Sequence, residues 1–139
     1  MIRALVLDVD GVLTDGGILL DGGNSETKCF HAQDGVGVKL AQLAGWRVLF
    51  LTARASSAAK PRAEELGAEW ATGVADKVVF LERWLAEAQI PWSATAFVGD
   101  DLQDLGAMRR AGWPIAPANG VLEVRSASRH VTRAPGGHG

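Results

Sequence analysis

The sequence has a single cysteine, Cys29, among 139 residues. One cysteine cannot close an internal disulfide, so nothing points to an oxidising compartment. Basic residues are not in excess: 14 Lys and Arg face 16 Asp and Glu, a net charge of −2. A nucleic-acid binder usually carries a basic surplus or stripe, and the balance here argues against one. No block of like charges resembles an interaction tail. Long apolar runs are missing too. The short apolar stretch that opens the chain is broken at Asp8, is too short to span a membrane, and is not followed by a small-residue cleavage site. Neither nucleic acid nor a membrane is expected as a partner, and a cytoplasmic location is. No internal repeat or low-complexity segment is visible.

What is present suits one globular domain spanning residues 1–139, with 47% hydrophobic and 22% charged residues. Ile2 to Val9 reads as a buried strand stopped by Gly11. Ile18-Leu19-Leu20 and Glu26 to His31 flank the turn cluster Gly22-Gly23-Asn24, which predicts an inserted β-hairpin. A helix is expected from Asp34 to Gly45 through Val36, Val38, Leu40, Ala41 and Leu43. Val48 to Leu51 and Thr95 to Val98 read as further strands, with short ones near Ile115 and His130. Between them, Ser56 or Ser57 caps one expected helix, Asp76 caps another, and Leu102 to Ala111 forms a third. Strands alternating with helices imply an α/β fold, a doubly wound parallel sheet with helices on both faces. The glycine-rich end, Pro135 to Gly139, should be mobile unless something docks it.

Ligands in open parallel sheets bind beyond the carboxyl ends of the strands. Three predicted strands end there in polar residues: Asp8 and Asp10 after the first, Thr52 after the second, and Asp100 and Asp101 after the third. Asp104 follows one helical turn later. Any one such aspartate reads first as a cap or a loop residue. Two acidic pairs at the ends of different strands fit better as a hard-cation site, and few-carboxylate oxygen sites suit Mg²⁺. Thr52 suits either a phosphate oxygen or the cap of the next helix. Lys77 sits at a helix start, where the helix dipole disfavours a cation, and this favours a role in pairing with a carboxylate and a phosphate.

The stretch Asp8-Val9-Asp10-Gly11-Val12-Leu13-Thr14-Asp15-Gly16 resembles the first motif, DxDGxxTDG, of the haloacid dehalogenase (HAD) superfamily of phosphatases. Leu51-Thr52-Ala53-Arg54 resembles the second motif, Ala75-Asp76-Lys77 the third, and Gly99-Asp100-Asp101-Leu102-Gln103-Asp104 the fourth, GDDxxD. The hairpin, the segment Phe30 to Gly35 and the ending Arg133 to Gly139 are similar to the capless subclass, which includes 3-deoxy-D-manno-octulosonate 8-phosphate (KDO 8-phosphate) phosphatases. The resemblance runs from Leu5 to Gly139. Sugar-acid 9-phosphate phosphatases and the phosphatase-like domains of acylneuraminate cytidylyltransferases share much of it.

The resemblance implies a Rossmann-like HAD fold without a cap domain and hydrolysis of a small phosphorylated sugar acid. Asp8 would be the nucleophile and Asp10 the general acid and base. Mg²⁺ would be held by Asp8, the Asp10 backbone carbonyl and Asp100. Thr52 and Lys77 would bind the transferring phosphoryl group, and Asp101 and Asp104 would orient this shell. A homotetramer is implied, with hairpins packed together and neighbours covering each site, and His31, Asp34, Arg54 and Arg62 become candidate substrate contacts. A broad small-metabolite phosphatase, a non-catalytic oligomerisation module and a phosphorylated receiver domain are the competing readings. The sequence departs from the family at Ala53, where glycine is usual, and near Pro117 to Gly120. Relatives usually continue past the position of Gly139 into a tail that can reach a neighbouring site. The five tryptophans, 46, 70, 84, 92 and 113, are expected in the core or an interface.

Overall fold

The computed structural model describes residues 1–55 and 58–139. Its main feature is a parallel six-stranded sheet. The strands are β1 (Ala4–Leu7), β4 (Arg47–Leu51), β5 (Glu69–Ala71), β6 (Thr95–Val98), β7 (Trp113–Ala116) and β8 (His130–Val131). Their spatial order is β5-β4-β1-β6-β7-β8. The chain therefore winds outward from β1 to one edge, returns to pair β6 with β1, and winds to the other edge. The crevice of such a sheet lies at this reversal. A separate antiparallel pair, β2 (Leu19–Leu20) and β3 (Glu26–Thr27), forms the expected hairpin after β1.

Alternation along the strands divides the core in two. Ala4 and Val6 of β1, Leu49 and Leu51 of β4 and Phe97 of β6 pack on one face. That face carries α3 (Lys77–Glu87), α4 (Leu105–Arg110) and α5 (Leu122–Ala127) through Leu81, Trp84, Leu85, Ala107, Met108 and Val124. Leu7, Val48 and Phe50 point the other way, onto α1 (Ala32–Leu43) and α2 (Ala59–Leu66). These strands carry apolar residues on both faces because both faces are covered, as parallel sheets require. Among the described residues, no helix is long and apolar enough to cross a membrane.

Several expectations change in detail. The first strand is shorter than Ile2–Val9 because the Val9 carbonyl turns away to accept the N–H groups of Val12, Leu13 and Thr14. Helix α1 starts earlier, capped by His31, whose Nδ1 accepts the Gln33 N–H at 3.1 Å. Its buried face is Gly35, Val38 and Ala41, leaving Val36, Leu40 and Leu43 exposed. Close packing on α2 selects this face. A Cβ on Gly35 would lie 2.8 Å from Arg62 Nη2 and 3.2 Å from Leu66 Cδ2, so Arg62 and Leu66 close directly over the glycine. The expected helix from Leu102 divides into a 3₁₀ turn, Leu102–Asp104, and α4, because Asp101 and Asp104 form a capping box. Strand β5 and helix α5 are short elements that the sequence pattern missed. The expected cap at Ser56 or Ser57 lies outside the described residues, whereas Asp76 does cap α3 by accepting the Val79 N–H at 3.0 Å.

The glycine-rich end is docked. Asn119 clamps it, accepting the Gly136 N–H at 2.6 Å and donating to the Gly11 carbonyl at 2.9 Å. Of the tryptophans, Trp84 is buried and Trp46 and Trp92 are half-buried, but Trp70 and Trp113 are exposed. Four rings lie under a cation: Arg47 on Trp84, Lys60 on Trp70, Arg110 on Trp92 and Arg129 on Trp113.

Phe97 is fully buried on the central strand β6. Phe97→Ala should destabilise the protein by about 3–5 kcal/mol in urea unfolding, through lost burial and the cavity left behind.

Candidate active site

The parallel sheet brings Asp8, Thr52 and Asp100 to one edge, just past β1, β4 and β6. The Asp8 N–H continues the ladder to the Val98 carbonyl at 3.0 Å, so its position is set by the sheet itself. Lys77, the first residue of α3, reaches in from the next connection. Its Nζ lies 2.7 Å from Asp8 Oδ1 and 2.6 Å from Asp104 Oδ1, and all three side chains are at most 3% exposed. Asp104 is fully committed, because its Oδ2 accepts the N–H groups of Asp100 and Asp101 at 3.0 and 3.2 Å. It therefore shapes the loop that carries Asp100. Asp101 turns outward and caps the 3₁₀ turn at the Leu102 N–H.

Asp8, Asp100 and Asp104 each place a carboxylate oxygen within 4.8 Å of the others. Three carboxylates against the single Lys77 ammonium leave two negative charges when all are ionised, which matches a divalent cation. Among the described residues, the buried oxygens Asp8 Oδ2, Asp10 Oδ2 and Asp100 Oδ1 have no hydrogen-bond partner. Orphaned anionic oxygens are costly unless a cation meets them. Hard oxygen donors of this kind fit Mg²⁺. Gly11 makes this approach possible: its φ is 86°, and a Cβ there would lie 1.9 Å from Asp100 Oδ2.

Burial lifts the Asp8 carboxyl to about 6, although Lys77 opposes the shift. Burial, then the Asp8 charge, lifts Asp100 to about 8. Burial alone would lower Lys77, but Asp8 and Asp104 outweigh it and hold the ammonium above its ordinary value. Lys77 thus stays charged while Asp8 and Asp100 resist ionisation without a further cation.

Asp10 departs from the Asp8 cluster. Its Oδ1 forms an ion pair with Lys28, whereas Oδ2 has no partner. Thr52 is buried, and its Oγ1 accepts the Arg54 N–H at 3.2 Å. Arg54 is partly exposed and reaches Glu26 at 3.3 Å. Burial would raise Glu26, but Lys28 and Arg54 hold its carboxyl below the ordinary range. His31, Asp34 and Arg62 form a separate group where α1 meets α2. Arg62 donates to the His31 carbonyl at 3.3 Å and pairs with Glu65 at 2.8 Å. Burial raises Asp34, with His31 and Arg62 opposing.

Sequence reasoning missed Lys28, Glu26 and Asn119. A signal existed for the first two. Glu26, Lys28 and Phe30 alternate along the hairpin's second arm, so two charged residues share a face with an aromatic one. Asn119 lies in the stretch that departs from the family pattern, and only the fold places it against Gly11.

A family model described as haloacid dehalogenase-like hydrolase matches residues 68–139. The chain is 34% identical to the 3-deoxy-D-manno-octulosonate 8-phosphate phosphatase KdsC of Haemophilus influenzae, a match covering 99% of this chain and 77% of that protein. It is also 34% identical to the protein of that name from Escherichia coli K12, covering 74% of its length. The crystal structure of a 3-deoxy-D-manno-octulosonate 8-phosphate phosphatase from Moraxella catarrhalis, in complex with a magnesium ion, a phosphate ion and KDO, superposes with a TM-score of 0.94 at 37% identity. That match covers 98% of this chain and 79% of the other. The chain belongs to the haloacid dehalogenase-like hydrolases, as the four motifs implied.

Raised carboxyl pKa values set the sign of a pH effect. The native state holds protons on Asp8 and Asp100 that the unfolded chain releases above its ordinary value of 3.8. Their contribution to stability is therefore greatest at low pH and falls as pH rises through about 6 and about 8. In EDTA, Tm should fall between about pH 5 and pH 8.5, and Asp100→Asn should flatten that fall. Millimolar Mg²⁺ should flatten it in the wild type. An unchanged profile in both cases would refute the assignment of these groups.

Proposed function

We propose that this protein is a Mg²⁺-dependent phosphatase that hydrolyses a small sugar-acid phosphate, KDO 8-phosphate or a close analogue, through an aspartyl-phosphate on Asp8. The observation that carries this reading is the buried cluster: a sheet-positioned carboxylate, a charged lysine beside it, and orphaned oxygens from Asp8 and Asp100 on one edge. The activity that the relatives are named for and the magnesium, phosphate and KDO of the Moraxella structure support it.

Asp8 and Asp100 would hold Mg²⁺ with the Asp10 carbonyl. When bound, the ion supplies positive charge that allows an anionic nucleophile to approach an anionic phosphate. An Asp8 oxygen attacks phosphorus, a P–O(Asp8) bond forms, and the ester P–O bond breaks. Asp10 delivers its proton to the departing oxygen, so the sugar leaves as an alcohol. Asp10, now a carboxylate, takes a proton from water as that water attacks phosphorus. The P–O(Asp8) bond breaks, releasing inorganic phosphate and restoring Asp8. Lys77 and the Thr52 hydroxyl donate to the phosphoryl oxygens, where charge is already placed in line. Asp104 holds Lys77 and the Asp100 loop, and Asp101 closes that loop. Arg54 suits the sugar-acid carboxylate, because a guanidinium can bind it with two parallel hydrogen bonds. His31, Asp34 and Arg62 complete the substrate side through the α1–α2 contact.

A homotetramer in the cytoplasm is the accompanying proposal. The exposed leucines of the hairpin, Leu19 at 67% and Leu20 at 70%, support it as an assembly surface. Leu19→Asp with Leu20→Asp should lower the sedimentation mass toward a monomer.

Phosphate release from KDO 8-phosphate, beside a panel of other sugar phosphates, tests the function. Release should require Mg²⁺, stop in EDTA, and fall at least about 10³-fold in Asp8→Asn, because the covalent route is lost. Comparable rates on every sugar phosphate would favour a broad phosphatase, and no release from a folded protein that binds Mg²⁺ would overturn the enzymatic reading.

A further inference from the structure

The hairpin inserted after β1 contributes more than apolar surface. Lys28, just past β3, points its ammonium into the site, and its side chain is fully buried. Nζ donates to Asp10 Oδ1 and, at 3.1 Å, to Glu26 Oε2. Glu26 in turn meets Arg54, whose backbone N–H donates to Thr52 Oγ1. A chain of alternating charge, Asp10–Lys28–Glu26–Arg54, thus runs from the first catalytic loop to the second through the hairpin. Burying an ammonium is costly unless both its position and its partners are fixed. Two carboxylates fix this one.

The consequence falls on Asp10. Its two oxygens are not equivalent: Oδ1 is held by Lys28, whereas Oδ2 is buried without a partner. We propose that Lys28 is a positioning residue for the reaction, locking the Asp10 carboxyl so that Oδ2 is the oxygen that exchanges the proton. In the first half-reaction the ester P–O bond breaks, its electron pair stays on the leaving oxygen, and the proton on Oδ2 moves to that oxygen. In the second, Oδ2 takes a proton from the attacking water. Glu26 anchors Lys28 from the far side. The inference rests on the proposed role of Asp10, and it assigns to the hairpin a part in the chemistry beside its part in assembly.

Leaving groups separate this role from a merely structural one. A sugar alkoxide needs a proton as it departs, whereas 4-nitrophenolate leaves without one. The ratio kcat/KM reports only steps up to release of the first product, so the later hydrolysis of the aspartyl-phosphate does not enter. In the Mg²⁺-loaded protein, Lys28→Met should lower kcat/KM for KDO 8-phosphate about 10-fold or more and that for 4-nitrophenyl phosphate less than about 3-fold. Lys28→Arg should recover part of the loss, and Glu26→Gln should show the same selectivity more weakly. These two variants carry the test should Lys28→Met fail to fold. Equal losses on both substrates, or none on either, would overturn the inference. Asp10→Asn is the control. If it discriminates between the substrates and the Lys28 variants do not, only the role of Lys28 falls; if it does not discriminate, the acid role of Asp10 falls and takes the inference with it.

Discussion

The ion pairs of Lys77 with Asp8 and Asp104 organise the rest of the site. They join the end of β1, the start of α3 and the loop after β6, three places far apart in sequence, at distances below 3 Å. A buried ion pair is a poor source of net stability, because taking its charges from water costs about as much as their attraction returns. Removing one partner is far worse, since it leaves a charge buried alone. The arrangement is therefore better understood as a constraint than as a stabiliser. It holds the folded chain to one geometry, and that geometry places a carboxylate, an ammonium and an unsatisfied aspartate at the same edge.

The unsatisfied oxygens follow from this constraint. Lys77 neutralises one negative charge of the cluster and no more, so Asp8 and Asp100 resist ionisation when no other cation is near. A bound divalent ion together with Lys77 would balance the charge of the three carboxylates. The backbone cooperates through Gly11, where any side chain would strike Asp100, and through Gly136, where a Cβ would lie 2.1 Å from the Gly11 carbonyl. The docked end of the chain thus braces the loop that carries Asp10 and Gly11, with Asn119 as the clamp.

The hairpin faces two ways. Its first strand carries Leu19 and Leu20 exposed to solvent, while its second arm sends Lys28 and Glu26 inward to Asp10 and Arg54. An insertion of this size cannot form a core of its own, and its second arm is tied to the domain by the ion pairs of Lys28 and Glu26 and by Phe30 against the core. The same short element therefore connects an outer surface suited to assembly with the group assigned to proton transfer.

Much of the fold was legible from residues 1–139 because its signals are local. Apolar runs ending in aspartate, glycine turns, and Asp76 as a helix cap depend on neighbours a few residues apart. The alternation of strands and helices then makes a parallel sheet nearly unavoidable, and a parallel sheet collects Asp8, Thr52 and Asp100 at one edge. The oddity of a lysine at a helix start was also readable, and it led to Lys77. Other features are not local. The face that α1 buries was chosen by the tight fit of Gly35 against Arg62 and Leu66, against its more apolar residues. His31 and Arg62 meet only because α1 lies on α2. Lys28 looked like one charged residue in a short strand, since nothing within a few positions shows that the hairpin folds back onto Asp10. Sequence alone determined which chemical groups stand at the strand ends, because periodicity and turn chemistry act over a few residues. Tertiary structure alone decided which oxygens find partners within the protein, because that depends on groups up to 108 residues apart meeting in the folded chain.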